Sequence, residues 1–550
     1  MYYSPSISSE IRLLTLACLV LWIPFAVSFP SARATQCCAE LSSKTQITTQ
    51  SWPASQFNSD YSYAKSHYWS SANADGTPAC VVFPTSAEDV SAVIQTLLRY
   101  PGVPFATKSG GHNANIGFGS TDGGVLISMS RMSSTTLSPD RKQAYLSPGA
   151  RWQDAVVALE PYNLTVVGGR VGDVGIGGLL VGCGLSFLSA QYGLPCDNIN
   201  NYEIVLSNST IVNANAVENP DLFWAMKGGG NQFGIVTKFT VNTYPIGMIW
   251  GGVRTYTRSF ASQILSATQD FTENFHDPAA GIIMSYQALV SSLDQFFVVF
   301  FFYNGPNPPP GVFDRFIGIP STSDTVKTQR YSSLVCEVPR MFYDSANKSI
   351  KLIANAKFGS VYGFRYVLRG STIPNLPGQS GLDLITANFN NFISYTTNRG
   401  LLPGLLQPGF IFNFIYQPIP TAIPLASSLI NPSGNLLNLS SSNGDHMWMA
   451  ISVSWVTKLG DSDAYRAATE IMNNVVSYAK LRYPGARASN FKNGKEGDGY
   501  RPSVFMNDAM AGQDVLRGYG NETFERLRSV QRAYDPIGFF PERTGGLKMI

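Results

Sequence analysis

A chain of 550 residues is too long for one hydrophobic core and implies two or three domains. With 44% apolar and only 14% charged residues it reads as globular, which excludes a disordered chain. A net charge of +3 from scattered Lys and Arg offers no clustered basic surface, so nucleic acid is not expected as a partner.

The first residues read as a secretory signal over 1–28. Arg12 supplies the positive start, Leu13 to Phe29 the apolar run, and Ala26-Val27-Ser28 small residues at cleavage spacing. Ala32-Arg33-Ala34 offers a second cleavage site. The run is short for a membrane span, so no stable anchor is expected. The expected location is outside the cell or in the secretory lumen. Cys18 leaves with the signal, and Cys37, Cys38, Cys80, Cys183, Cys196 and Cys336 remain as sparse local staples. A bond from Cys37 or Cys38 to Cys80 would tie down the N-terminal segment. Sequons at Asn163, Asn208, Asn347, Asn438 and Asn521 agree with export and with N-glycans. No C-x-x-C or H-x₃-H spacing occurs, so no metal is expected.

A βα alternation begins with a strand at Cys80–Phe83. Ser86 and Asp89 resemble a capping box. Val90, Val93, Ile94, Leu97 and Leu98 then recur at helical spacing until Pro101-Gly102 ends the helix. Strands follow at Val103–Thr107, Val125–Met129 and Ala144–Leu146, then a helix at Gln153–Leu159 and a strand at Thr165–Val167. From about residue 248, strands rich in Phe, Tyr, Ile and Val alternate with helices at Ser262–Phe275 and Ala464–Ala479; Phe296–Tyr303 suits a buried strand. Pro306–Pro310 and Pro418–Pro424 read as turns. After Gly499 come short loops and a helix at Glu522–Tyr534, closed by Asp535-Pro536. The class is α+β.

Chemistry concentrates in three glycine clusters: Lys108-Ser109-Gly110-Gly111-His112, Gly168 through Gly178 with Gly182 and Gly184, and Gly228-Gly229-Gly230-Asn231-Gln232-Phe233-Gly234. Consecutive glycines let backbone N–H groups close on an anion such as a phosphate, although a single cluster is more often only a tight turn. The third precedes a strand at Ile235–Val241 instead of opening a helix, so this is not a Rossmann fingerprint. G-x₄-G-K-[ST], H-E-x-x-H and G-x-S-x-G are absent, which disfavours P-loop nucleotidases, zinc proteases and serine hydrolases.

Lys108–His112, Val174-Gly175-Ile176-Gly177-Gly178, Asp221-Leu222-Phe223-Trp224-Ala225 and Gly234-Ile235-Val236-Thr237 together resemble the berberine-bridge-enzyme-like branch of the FAD-linked vanillyl-alcohol-oxidase and p-cresol-methylhydroxylase (PCMH) superfamily. Phe505-Met506-Asn507-Asp508 and Tyr534-Asp535-Pro536 resemble its closing segment. The resemblance implies a lead-in at 29–75, a two-part PCMH-type FAD-binding domain at 76–247 and a substrate domain at 248–499. That second domain would be α+β, a large antiparallel sheet covered by helices. A segment at 500–550 would return to the first domain. It further implies that Lys108, Ser109, Gly110, Gly111, His112 and Asn113 hold the FAD pyrophosphate, with His112 bonded to the flavin 8α carbon. Gly149, Gly172, Val174, Gly175, Gly178, Gly184, Ile235, Val236 and Asn507 would complete the cofactor site.

Departures from the family bear on chemistry. Relatives with a second covalent bond carry Cys where this chain has Val171, so a single attachment is expected, with Cys183 and Cys196 as ordinary buried or paired thiols. Leu179 stands where many relatives have His, and Phe505 where many have a Tyr able to act as base. Tyr416 and Gln417, on a strand-like run Ile411–Gln417, are the candidate catalytic residues, although Tyr416 also suits plain sheet packing; His446 near Trp448 is weaker. The expected reaction is hydride transfer from a small alcohol, sugar or secondary-metabolite precursor, with O₂ as acceptor and Val174 leaving it access. The alternatives are a secreted flavin-fold protein without turnover and a glycan-binding middle segment.

Overall fold

The computed structural model describes residues 30–44, 46–53, 58–275, 277–289, 295–336, 341–344, 349–352, 361–398, 410–483 and 504–549. The expected signal at 1–28 and the sequon at Asn347 lie outside the described residues.

The first sheet orders Thr48–Ser51, Cys80–Phe83, Val125–Ser128 and Phe105–Lys108. Its outer pair is antiparallel and the rest parallel. Cys80–Phe83 and Val125–Ser128 are buried along their whole length, which their unbroken apolar runs require of strands covered on both faces. The helix Ala87–Arg99 buries Val90, Val93, Ile94 and Leu97 against this sheet, and Ser86 caps it by accepting from Asp89 N–H. The reciprocal half of a capping box is missing. The Asp89 carboxylate instead accepts from the amide and hydroxyl of Thr85, at 2.8 and 2.7 Å. A Cys38–Cys80 disulfide fastens the helix Ala32–Ser43 to the sheet.

The second sheet is antiparallel: Thr135–Leu137, Gln143–Leu146, Ile235–Pro245, Ile199–Val205 and Ile211–Asn215, with Leu164–Val166 also paired to Ile235–Pro245. A Cys183–Cys196 disulfide lies beside it, so these two thiols are paired.

The third sheet runs Ser323–Asp324, Met248–Thr257, Gln295–Tyr303, Ala280–Leu289, Ile411–Ile419, His446–Trp455 and Arg365–Pro374, with Lys327–Arg330 also on Met248–Thr257, all antiparallel. Period-two alternation sends Met447, Met449 and Ile451 into a core shared with the helices Ala261–Glu273, Gly378–Asn398 and Asp461–Arg482. Trp448 and Ala450 face the other way, into a core shared with the second sheet.

One sequence expectation fails here, and one element goes beyond what the pattern predicts. Pro418–Pro424 is not a turn: Pro418 is the penultimate residue of a strand and Pro424 sits in the first turn of a helix, Ala422–Ile430. Both positions tolerate a missing N–H. Pairing with Ala280–Leu289 stops at Tyr416, and a helix's first turn has no use for that hydrogen. The 21-residue helix Gly378–Asn398 was also not anticipated.

The C-terminal segment crosses back to the first sheet. Phe539 and Phe540 pack on Phe105, and Asp535 caps their turn by accepting from both amides at 2.8 and 2.9 Å. No described helix is long and apolar enough to cross a membrane.

Candidate functional site

The first two glycine clusters meet backbone to backbone. A Cβ on Gly110 would lie 2.5 Å from Gly175 N, and one on Gly175 would lie 2.2 Å from Gly110 N, so only glycine fits either place. Ser109 locks the contact: its hydroxyl donates to Pro148 O at 2.5 Å and accepts from Gly177 N–H at 3.2 Å. Arg151 supports the loop from behind, donating to Gly110 O at 3.2 Å while pairing with Asp173 at 2.5 Å. The Tyr362 hydroxyl donates to the other Asp173 oxygen.

These clusters, the start of Ile235–Pro245 and the C-terminal segment enclose a cavity of about 320 Å³. Lys108, Ser109, Gly110, Gly111, His112, Asn113, Val174, Gly175, Gly178, Gly184, Ile235, Val236 and Asn507 all line it. Gly149 and Gly172 do not. A Cβ on Gly149 would meet Met129 O at 1.8 Å and one on Gly172 would meet Val335 O at 2.7 Å, so close packing outside the cavity explains both.

His112 stacks on Trp69, ring centroids 4.5 Å apart and planes 7° from parallel, and Trp69 stacks on Tyr366 at 4.1 Å. Trp69 N–H donates to Gly111 O at 3.0 Å, tying this lead-in residue to the loop. Burial pulls the imidazole down to about 4, so it is neutral at neutral pH. Lys108 points elsewhere than its expected phosphate role requires. Its Nζ donates to Ala64 O at 2.6 Å and lies 3.7 Å from the Tyr68 ring centroid, and burial lowers it to about 7. Asn507 spans the 178–184 loop, donating to Gly178 O at 2.9 Å and accepting from Gly184 N–H at 3.2 Å. Val171 and Leu179 line the cavity, so no thiol or imidazole is offered at either position.

The catalytic candidates divide. Tyr416 faces the helix-covered core, stacked edge-on with Phe414 at 4.7 Å, and its hydroxyl accepts from the Asn388 amide at 3.2 Å. Burial drives its phenol far above the ordinary value, so Tyr416 cannot serve as a base for this cavity. Gln417 faces the cavity side of the sheet but lies behind the lining; His446 is likewise buried and does not line it. Sequence reasoning missed two ionisable lining residues. Burial lifts the Asp508 carboxyl to about 6, with Arg170 opposing the shift. Arg170, itself lowered by burial, rests 5.6 Å from the Trp448 ring centroid. Each sits inside a motif quoted above; the available signal is a charge in the phrase, alone after Phe-Met-Asn for Asp508 and shared with Asp173 in the glycine cluster for Arg170.

A cavity walled by glycine backbone suits a dinucleotide: amides can approach phosphate oxygens, and Gly178 leaves open space where a side chain would stand. Asp508 is the lone carboxylate in the described lining, so repulsion of phosphate is small. The fold and site thus define an FAD-binding oxidoreductase. The FAD binding domain family pattern matches residues 78–215. An uncharacterized FAD-linked oxidoreductase of Arthroderma benhamiae is 35% identical over 495 residues, covering 90% of this chain and 91% of that protein. FAD-dependent monooxygenase drtC of Aspergillus calidoustus is 31% identical over 496 residues, covering 89% and 86%. Glucooligosaccharide oxidase from Acremonium strictum, an enzyme described with a 6-S-cysteinyl, 8α-N1-histidyl FAD, superposes with a TM-score of 0.67 at 19% identity, over 94% of this chain and 99% of that one. The chain belongs to the FAD-linked oxidoreductases, and it shares its fold with glucooligosaccharide oxidase.

Proposed function

We propose that the protein is a secreted FAD-linked oxidase, its cofactor held through one covalent bond to His112. The observation that carries this reading is His112 itself, uncharged, held flat by Trp69 and opening onto the glycine-lined cavity. A neutral imidazole has a lone pair to offer the flavin 8α carbon; a protonated one has none. When bound, FAD supplies hydride acceptance at N5 and delivery of electrons to O₂. The chain's own groups bind, orient and exclude water. The Ser109–Asn113 loop holds the cofactor's phosphates on backbone amides, Gly175–Gly178 closes against that loop, Asn507 keeps the 178–184 loop in place, and Val174 leaves a small lining for the flavin. The substrate is a small alcohol, sugar or secondary-metabolite precursor.

Two disulfides among the described residues support an oxidising compartment, and Asn163, Asn208, Asn438 and Asn521 are exposed as glycan acceptors must be.

The test is the colour of the acid-precipitated pellet. Purified protein is yellow and keeps its yellow in the pellet; His112→Ala releases all flavin to the supernatant or binds none. A colourless wild type, or flavin wholly in its supernatant, overturns the covalent reading.

A further inference from the structure

The sheet-side wall of the cavity holds a cation with no hydrogen-bond or ion-pair partner among the described residues. Arg170 follows Gly169 in the second glycine cluster and lines the cavity. Its guanidinium rests on Trp448, whose ring lies on the large-sheet face turned toward the cofactor segments. Among the described residues it donates no hydrogen bond and forms no ion pair; Asp508 acts on it only across space. A guanidinium keeps its charge in any surroundings found in a protein, so the missing hydrogen bonds are not relieved by proton loss.

A row of side chains extends from the same place. Thr372, Trp448 and Gln417 stand directly opposite one another on three adjacent strands. They are 1%, 3% and 5% exposed. Thr372 Oγ1, Trp448 Nε1 and Gln417 Oε1 have no hydrogen-bond partner among the described residues. Buried polar atoms are normally paired, and three unpaired ones in a row behind the lining, with Trp448 against the Arg170 guanidinium, are a concentration of unspent hydrogen-bonding capacity. In the proposed function the phosphates of the cofactor lie on backbone amides of the opposite wall, which would leave this wall to the substrate.

We propose that Arg170, backed by the Thr372–Trp448–Gln417 row, is the substrate subsite, and that it receives a carboxylate. The substrate is then a small carboxylic acid whose oxidised carbon lies elsewhere in the molecule. A planar guanidinium matches a carboxylate through two parallel hydrogen bonds, which a neutral hydroxyl cannot reproduce. This inference rests on flavin occupying the glycine-lined part of the same cavity.

The test is calorimetric titration of the purified protein with benzoate and with benzamide, its neutral isostere. Wild type is expected to bind benzoate about tenfold or more tighter than benzamide. Arg170→Met should erase that preference while keeping its yellow colour, and Arg170→Lys should restore part of it. Equal affinity for the two probes, no saturable benzoate binding, or full benzoate affinity in Arg170→Met overturns the subsite. A colourless Arg170→Met also overturns it, because Arg170 then serves the flavin. A colourless wild type defeats the flavin reading instead, and the benzoate titration of that protein still decides the charge preference.

Discussion

The glycine wall and the sheet wall of the cavity are made from different materials. On the glycine wall the surface is backbone: Gly110 lies on Gly175, Ser109 ties 109 to 148 and 177, and no side chain longer than a hydrogen fits the contact. On the sheet wall the surface is side chains drawn from far apart in sequence, with Arg170 against Trp448 and Asp508 beside them. A backbone surface presents the same N–H groups to any ligand of the right shape, so it suits a cofactor shared by a whole family. A side-chain surface changes with each substitution, so it is where substrate choice belongs.

The largest effect separating the walls comes from adding one carbon to the glycine wall. Gly175→Ala puts a Cβ 2.2 Å from Gly110 N and 2.5 Å from Ser109 Oγ, both on a loop pinned by Arg151 and Pro148. Relief requires moving backbone, which costs about 1–3 kcal/mol or more and opens the phosphate cradle. The expected outcome is little soluble protein and none of it yellow, read from the ratio of flavin to protein absorbance. A normal flavin content in Gly175→Ala would show that the contact is not what shapes the cradle.

A smaller effect is expected from the sheet wall, and it takes the form of a pH dependence. The Asp508 carboxyl is lifted from the ordinary 3.8 to about 6, by burial first. Between those values the unfolded chain has released this proton and the folded chain still holds it, so stability falls as pH rises through the window. The effect on stability, reduced wherever water reaches the carboxyl, is about 1–2 kcal/mol. Asp508→Asn removes it. Melting temperatures compared from about pH 4 to pH 7 should therefore show the variant gaining on wild type as pH rises. A constant difference across that range would mean that Asp508 titrates normally.

The difference between the walls also explains what could be read in advance. Gly110, Gly175 and His112 sit in short phrases whose meaning is local, because consecutive glycines after a strand already dictate how the backbone turns. The helix Ala87–Arg99 was equally legible from its 3.6-residue apolar rhythm. Trp69, Arg170 and Asp508 carried no such rhythm. Trp69 reaches His112 only once the lead-in folds across the loop, and Arg170 reaches Trp448 across 278 positions of chain (448 − 170). Pro418 misled because proline is read as a turn unless the neighbouring strand is known to stop short of it. Gly149 and Gly172 misled for the opposite reason: glycine is demanded by any close backbone approach, whether or not a ligand is involved.

Tyr416 marks the limit of strand-level reading. The run Ile411–Gln417 was recognised as a strand, yet recognising a strand does not say which face meets the cavity, and neighbours on a strand point to opposite faces. The pairing of Tyr416 with Met449 and Met284 fixes it in the helix-covered core. Tyr416→Phe therefore removes only the hydrogen bond from Asn388, at 3.2 Å, and leaves that amide to find another partner. The expected cost is about 1 kcal/mol of stability, seen as a drop of about 1–2 °C in melting temperature. Turnover, flavin content and the pH profile of activity should stay at wild-type values. A Tyr416→Phe enzyme that folds and holds flavin but loses turnover would return the phenol to the chemistry, and would require the strand to present its other face.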